Sequence, residues 1–99
     1  MATLYIQEYK EVAFDAGGGR IQAGREPAIA SQAISFTGTA GLSAALNAET
    51  NFVRIYSTAA AFLKFGTAPV AVTGTDCPVA ADTAEYFGVH GGIKISAVV

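Results

Sequence analysis

The sequence predicts an all-β fold: a small antiparallel β-sandwich or jelly-roll-like domain of about 7–8 short strands. Three observations predict it. Turn-forming residues recur at short, regular intervals, from Asp15-Ala16-Gly17-Gly18-Gly19 to His90-Gly91-Gly92. The segments between them have strand length rather than helix length. Several of those segments alternate apolar and polar residues with the period of two that a half-buried strand requires.

A first strand at Thr3–Gln7 follows from Leu4 and Ile6 on one side with Tyr5 and Gln7 on the other. Glu8–Phe14 stays open, because a turn of helix also suits it. Residues 17–30 read as a long loop with little core content, in which Gly17-Gly18-Gly19 forms a flexible hairpin tip. In SQAISFT, Gln32, Ile34 and Phe36 share one face and Ala33, Ser35 and Thr37 the other. GLSAALNAET, from Gly41, suits one helical turn, since Ala and Leu favour helix, but it is too short to stand alone.

The most apolar stretch is FVRIYSTAAAFLKFGTAPVAV, from Phe52 to Val72. A transmembrane helix needs about 20 mostly apolar residues, and Arg54, Lys64 and Pro69 interrupt any such window. The β-branched and aromatic residues Phe52, Val53, Ile55, Tyr56 and Phe62 disfavour a soluble helix as well. The stretch reads as a strand at Phe52–Thr58, a tight turn at Ala59-Ala60, a second strand at Ala61–Phe65 in a hairpin with the first, and the start of a third. The last run places Ile93, Ile95, Ala97 and Val99 on one face, with Lys94 and Ser96 opposite. The chain reads as one domain over 1–99, with an extended N-terminal arm and the Gly-rich loop accommodated in residues 1–30.

Composition bounds the function. Charged residues make up 14% of the chain and hydrophobic ones 52%, with a mean hydropathy of +0.39. Soluble domains average about 25% charged residues. Either this is a compact Ala- and Gly-rich domain, or other subunits cover part of its surface; the second reading is preferred. A net charge of −2 and six basic residues scattered singly argue against nucleic-acid partners and against a basic membrane-binding patch. Cys77 is the only cysteine, which excludes an internal disulfide. The start MATLYIQEYKEVAF has no signal-peptide pattern, so synthesis is expected in the cytosol.

No catalytic constellation emerges. His90, the only histidine, lies beside Gly91-Gly92 and reads as a turn residue without a nucleophile to serve. Cys77 is in principle a thiolate partner for it, but the Asp76-Cys77-Pro78 context reads as a loop with a small buried thiol. One His and one Cys are too few for structural zinc. Asp82 and Glu85 read as a solvated turn, and no calcium loop occurs. GGGRIQ has Gln22 where a dinucleotide loop needs its last Gly, and GLSAA lacks the final Gly of a nucleophile elbow. The chain is therefore expected to be no enzyme, with no catalytic or metal residue, no cofactor and no small-molecule substrate.

The aromatic residues say more. One account puts Phe36, Phe52 or its neighbours, Phe62 and Phe87 in the core and leaves the tyrosines at the rim. A sharper account adds subunit contacts made by a surplus around Tyr5, Tyr9 and Phe14, with Leu4 and Ile6 of the same N-terminal segment. Both accounts stand at this point.

LYIQEY at the start, EPAIASQAISFTG in the middle, and NFVRIYSTAAAFLKFGTAPVA followed by AEYFGVHGGIKISAVV carry a resemblance. The chain resembles small virion proteins of tailed bacteriophages, of the capsid cement or decoration type. That resemblance implies a β-rich domain that oligomerises and bridges capsid subunits at the virion surface, made in the host bacterial cytoplasm. Its partners would be the major capsid protein and copies of itself. A neck, tail or fibre-associated virion protein is the structural alternative, and a small ligand- or carbohydrate-binding β-sandwich the alternative of another class.

Overall fold

A computed structural model describes residues 2–14, 16–24 and 27–99, with the main chain alone described for 12–14 and 20–24. Among the described residues ten strands form: β1 (Ala2–Tyr9), β2 (Val12–Phe14), β3 (Arg20–Gly24), β4 (Ala30–Phe36), β5 (Gly41–Leu42), β6 (Phe52–Ser57), β7 (Ala61–Gly66), β8 (Cys77–Val79), β9 (Thr83–Gly88) and β10 (Lys94–Val98). Two antiparallel sheets hold four strands each, in the orders β4-β1-β6-β9 and β5-β10-β7-β8, while β2 and β3 pair as a separate hairpin. No described residue is helical, and none lies in a helix long and apolar enough to cross a membrane. From β4 onward the chain changes sheet at every connection except β7 to β8.

The alternation explains why the sheets share a core. Leu4, Ile6, Val53 and Ile55 of the first sheet and Leu63, Val79, Ile95 and Ala97 of the second belong to one buried cluster. Each fully buried Leu or Ile side chain stabilises the fold by about 1.5–3 kcal/mol. Phe65 of β7 and Phe87 of β9 join the sheets at the margin, their ring centroids 5.2 Å apart. In β4 the expected faces hold: Gln32, Ile34 and Phe36 turn inward, Ala33 and Ser35 outward.

Several expectations are corrected. The first strand is no arm but an eight-residue central strand that continues through Glu8 and Tyr9, with no helical turn. Residues 17–30 contain β3, paired with β2 around the glycine-rich turn. Within the loop expected at 17–30, Arg25 and Glu26 lie outside the described residues. GLSAAL makes no helical turn either. Past β5 it runs extended beside β10, where Ser43 N donates to Ile95 O and Leu46 N to Ile93 O, each at 2.8 Å. An adjacent strand satisfies these amides better than an isolated turn would.

The strands flanking Ala59-Ala60 form no hairpin. β6 pairs with β1 and β9, whereas β7 pairs with β10 and β8. Val53, Ile55 and Ser57 approach the core from one sheet, and Ala61 and Leu63 from the other, so the bend carries the chain from the first sheet to the second. The Ser57 hydroxyl closes that bend by donating to Ala59 O at 2.5 Å.

No third strand begins at Pro69 either. That segment lies over the outer side of β10, where Ala71 N donates to Ser96 Oγ at 3.0 Å in a buried bond. Ser96 beneath this segment and Val98 on the same side are both buried, so β10 is closed on both faces. Val99, expected inside, is exposed instead.

Candidate functional site

Three exposed aliphatic side chains, Leu42, Val70 and Val72, lie on the outer side of the second sheet. Leu42 stands opposite Ser96 in the β5–β10 ladder. The Ser96 hydroxyl accepts the Ala71 amide and donates to Gly41 O at 2.9 Å, tying β5, β10 and the 69–72 strap together. Because Ala71 turns inward, Val70 and Val72 turn outward, Val70 with 65% of its surface exposed. Thr73 Oγ1 donates to Val99 O at 2.8 Å and ties the strap to the end of β10, where exposed Val99 lines a hollow with Ala2, Thr37, Thr58 and Ala59 instead of joining the valines. Leu42, Val70 and Val72 thus lie about one polar tie. Asp76 braces the strap from below, its Oδ2 accepting the Val72 amide at 2.7 Å.

Sequence reasoning missed this patch. The signal present was PVAV, two valines flanking a small residue after a proline, together with one serine inside the apolar strand ISAVV. Neither says which side of the strap faces the sheet.

The residues expected at subunit contacts divide. Leu4 and Ile6 are 0% exposed and belong to the chain's own core, so neither offers surface to another subunit. Tyr9 is 1% exposed, and its hydroxyl donates to Gln7 Oε1 at 3.0 Å. The alternation that places Leu4 and Ile6 on one face is the same alternation that buries them between the sheets. Only Tyr5, 49% exposed, lies open on the outer face, its ring tilted against Tyr56 with centroids 6.4 Å apart. The Phe14 side chain lies outside the described residues.

A buried carboxylate organises the opposite flank. Glu8 is 3% exposed; its Oε1 accepts the Asn47 amide at 2.7 Å and the Thr50 hydroxyl at 2.9 Å. Gln32 Nε2 reaches Oε2 of the same carboxylate at 3.4 Å, and Gln32 Oε1 accepts the Ala44 amide at 3.0 Å. Every acceptor is engaged by neutral donors, which makes this a brace for residues 44–50 and leaves no open position for a reacting group.

His90 borders a cleft of about 330 Å³ walled by Phe65, Phe87, Val89 and Ile93. Its Nδ1 lies 3.3 Å from Gly91 O, and the described lining residues include no carboxylate, hydroxyl or thiol to act with it. Cys77 is exposed, not buried, at the start of an edge strand. Partial burial raises its thiol pKa above the ordinary value, and the nearby Glu85 carboxylate raises it further. Such a thiol is a weakened nucleophile at neutral pH. Asp82 accepts the Tyr56 hydroxyl at 3.2 Å, a bond that raises the Tyr56 pKa. Among the described residues no group of three or more His, Cys, Asp or Glu side chains is placed to hold a metal.

Compared with known proteins, the chain matches no family model, no curated protein and no solved structure.

Proposed function

We propose that this chain is a structural virion protein of a tailed bacteriophage, a capsid decoration or cement protein that binds the major capsid protein and copies of itself. The observation that carries the reading is the aliphatic patch of Leu42, Val70 and Val72, held open on a small, sparsely charged β domain. An exposed apolar patch of this kind marks a protein contact. Its backing favours the same reading: the Ser96 tie and the Asp76 brace fix the strap, so little conformational entropy is lost when it docks. The resemblance of the N-terminal, middle and C-terminal segments to phage virion proteins supplies the partner. Titration against empty phage capsids tests it. Saturable co-sedimentation is expected, and a chain that stays in the supernatant at every capsid concentration overturns it.

A glycan-binding reading draws on a different observation. Tyr5, Tyr56 and Tyr86 line the outer face of the first sheet, with Arg54 opposite both Gln7 and Tyr86. Aromatic rings edged by planar polar groups suit the faces of sugar rings. A glycan array separates the readings, since the capsid reading expects no hits.

A further inference from the structure

Each four-stranded sheet has two edges, and three of these four edges are blunted. β5 is two residues long. β8 is three residues long and contains Pro78. β9 carries Glu85 in register with core-facing Ile55, a charge set on the inward side of an edge. Short length, proline and inward charge are the devices by which sheets refuse further strands. β4 has none of them: its seven residues, ASQAISF, include no charge and no proline, and it pairs with β1 alone.

The register shows which groups this edge presents. Thr58 N donates to Thr3 O at 3.0 Å, so Thr3 and its alternate neighbours Tyr5 and Gln7 turn their main-chain groups toward β6. Leu4, Ile6 and Glu8 then address β4, and Ile34, Gln32 and Ala30 answer them. The main-chain groups of Ser31, Ala33 and Ser35 therefore point away from the sheet. At one end the fold completes the edge itself. Thr37 O accepts the Val99 amide at 3.0 Å, and Gly41 packs so close that a Cβ there would lie 2.7 Å from Ser35 O. Among the described residues Ser31 and Ala33 have no such cover.

We infer that β4 is a self-pairing edge that joins the first sheets of two copies of this chain, antiparallel, about a twofold axis. The strand is complementary to itself. With the axis at Gln32, Ser31 of one copy meets Ala33 of the other, and each pair exchanges N–H and C=O groups. No charge lies on the strand, so no like charges meet across the axis. Tyr5 adds side-chain area: it stands opposite Ala33, whose small side chain leaves the ring's edge-facing flank open to the neighbouring copy. The inference specifies the self-association in the reading above and rests on that reading only for the expectation that copies meet.

Sedimentation equilibrium and amide hydrogen exchange test it together. The wild-type mass should rise with concentration from the 10.1 kDa monomer toward twice that value. Over the same range the Ser31 and Ala33 amides should become protected. Ala33→Pro removes an outward-facing N–H without touching the β1 ladder, as edge strands tolerate. It should keep its strand spectrum and weaken self-association at least about tenfold. A wild type that is monomeric throughout, amides whose exchange ignores concentration, or a folded Ala33→Pro that pairs as before overturns the inference. Should Ala33→Pro fail to fold, the wild-type exchange data decide. Capsid co-sedimentation by a wild type that never self-pairs would overturn this inference alone; self-pairing without capsid binding would overturn the capsid reading alone.

Discussion

Thr50 donates its hydroxyl to Glu8 Oε1 at 2.9 Å in a buried bond that spans 42 positions of chain. With the Asn47 amide on the same oxygen, this contact pins the segment entering β6 to the centre of the first sheet. Glu8→Ala would strand an amide and a hydroxyl in the interior, and should destabilise by about 2–3 kcal/mol. Glu8→Gln, which keeps an acceptor oxygen, should cost less. Urea titration checks this through a lower midpoint at unchanged slope.

Gly91 sits directly on the Ala48 main chain. A Cβ added there would collide with the Ala48 carbonyl, and a carbonyl in the main chain cannot rotate aside as a side chain can. Gly91→Ala should therefore destabilise by about 1–3 kcal/mol, while Gly88→Ala, which meets open space, should be far milder. Thermal melts of the two variants side by side make the comparison.

Ser96 and Val70 separate the scaffold of the patch from its surface. Ser96→Ala leaves the buried Ala71 amide without its acceptor and should cost about 1–3 kcal/mol. Val70→Asp should leave stability within about 0.5 kcal/mol of wild type, as exposed substitutions usually do. It should nonetheless abolish capsid co-sedimentation. Equal loss of stability in both variants would refute this division.

The Cys77 thiol should react slowly with a disulfide reagent at pH 8, because its raised pKa leaves less thiolate than an ordinary cysteine has. Glu85→Gln removes the second cause of the rise and should speed the reaction. Burial, the first cause, stays, so the rate should not reach that of the unfolded chain. Rates at several pH values give the thiol pKa directly.

Tyr56 should ionise above the ordinary value of 10.0, chiefly because it donates to Asp82. The sign follows from linkage. A pKa raised on folding contributes stability that is full below pH 10 and lost as pH climbs through the folded value. Asp82→Asn should bring the phenol back toward its ordinary range, read by ultraviolet titration.

Much of the fold was legible because period-two alternation is a local property. β4, β6 and the inner face of β10 could be read from Ile34, Phe36, Val53, Ile55, Ile95 and Ala97 without knowing what they touch. The candidate patch was not legible. PVAV shows alternation but not the Ser96 hydroxyl that sets which valines face out. Leu4 and Ile6 looked equally fit for a core or a subunit contact, since apolarity states a need for cover without naming what provides it.

The sequence by itself determined that this chain is all-β, where most strands run and which of their residues share a face, because strand geometry links side-chain direction to residue number. Only the tertiary structure decided that β6 and β7 lie in opposite sheets, that the 69–72 strap closes β10, and that β4 keeps an open edge. Those outcomes depend on strand partners far apart in the chain. Pairing is chosen by the one arrangement that buries both inner faces and satisfies the backbone at once.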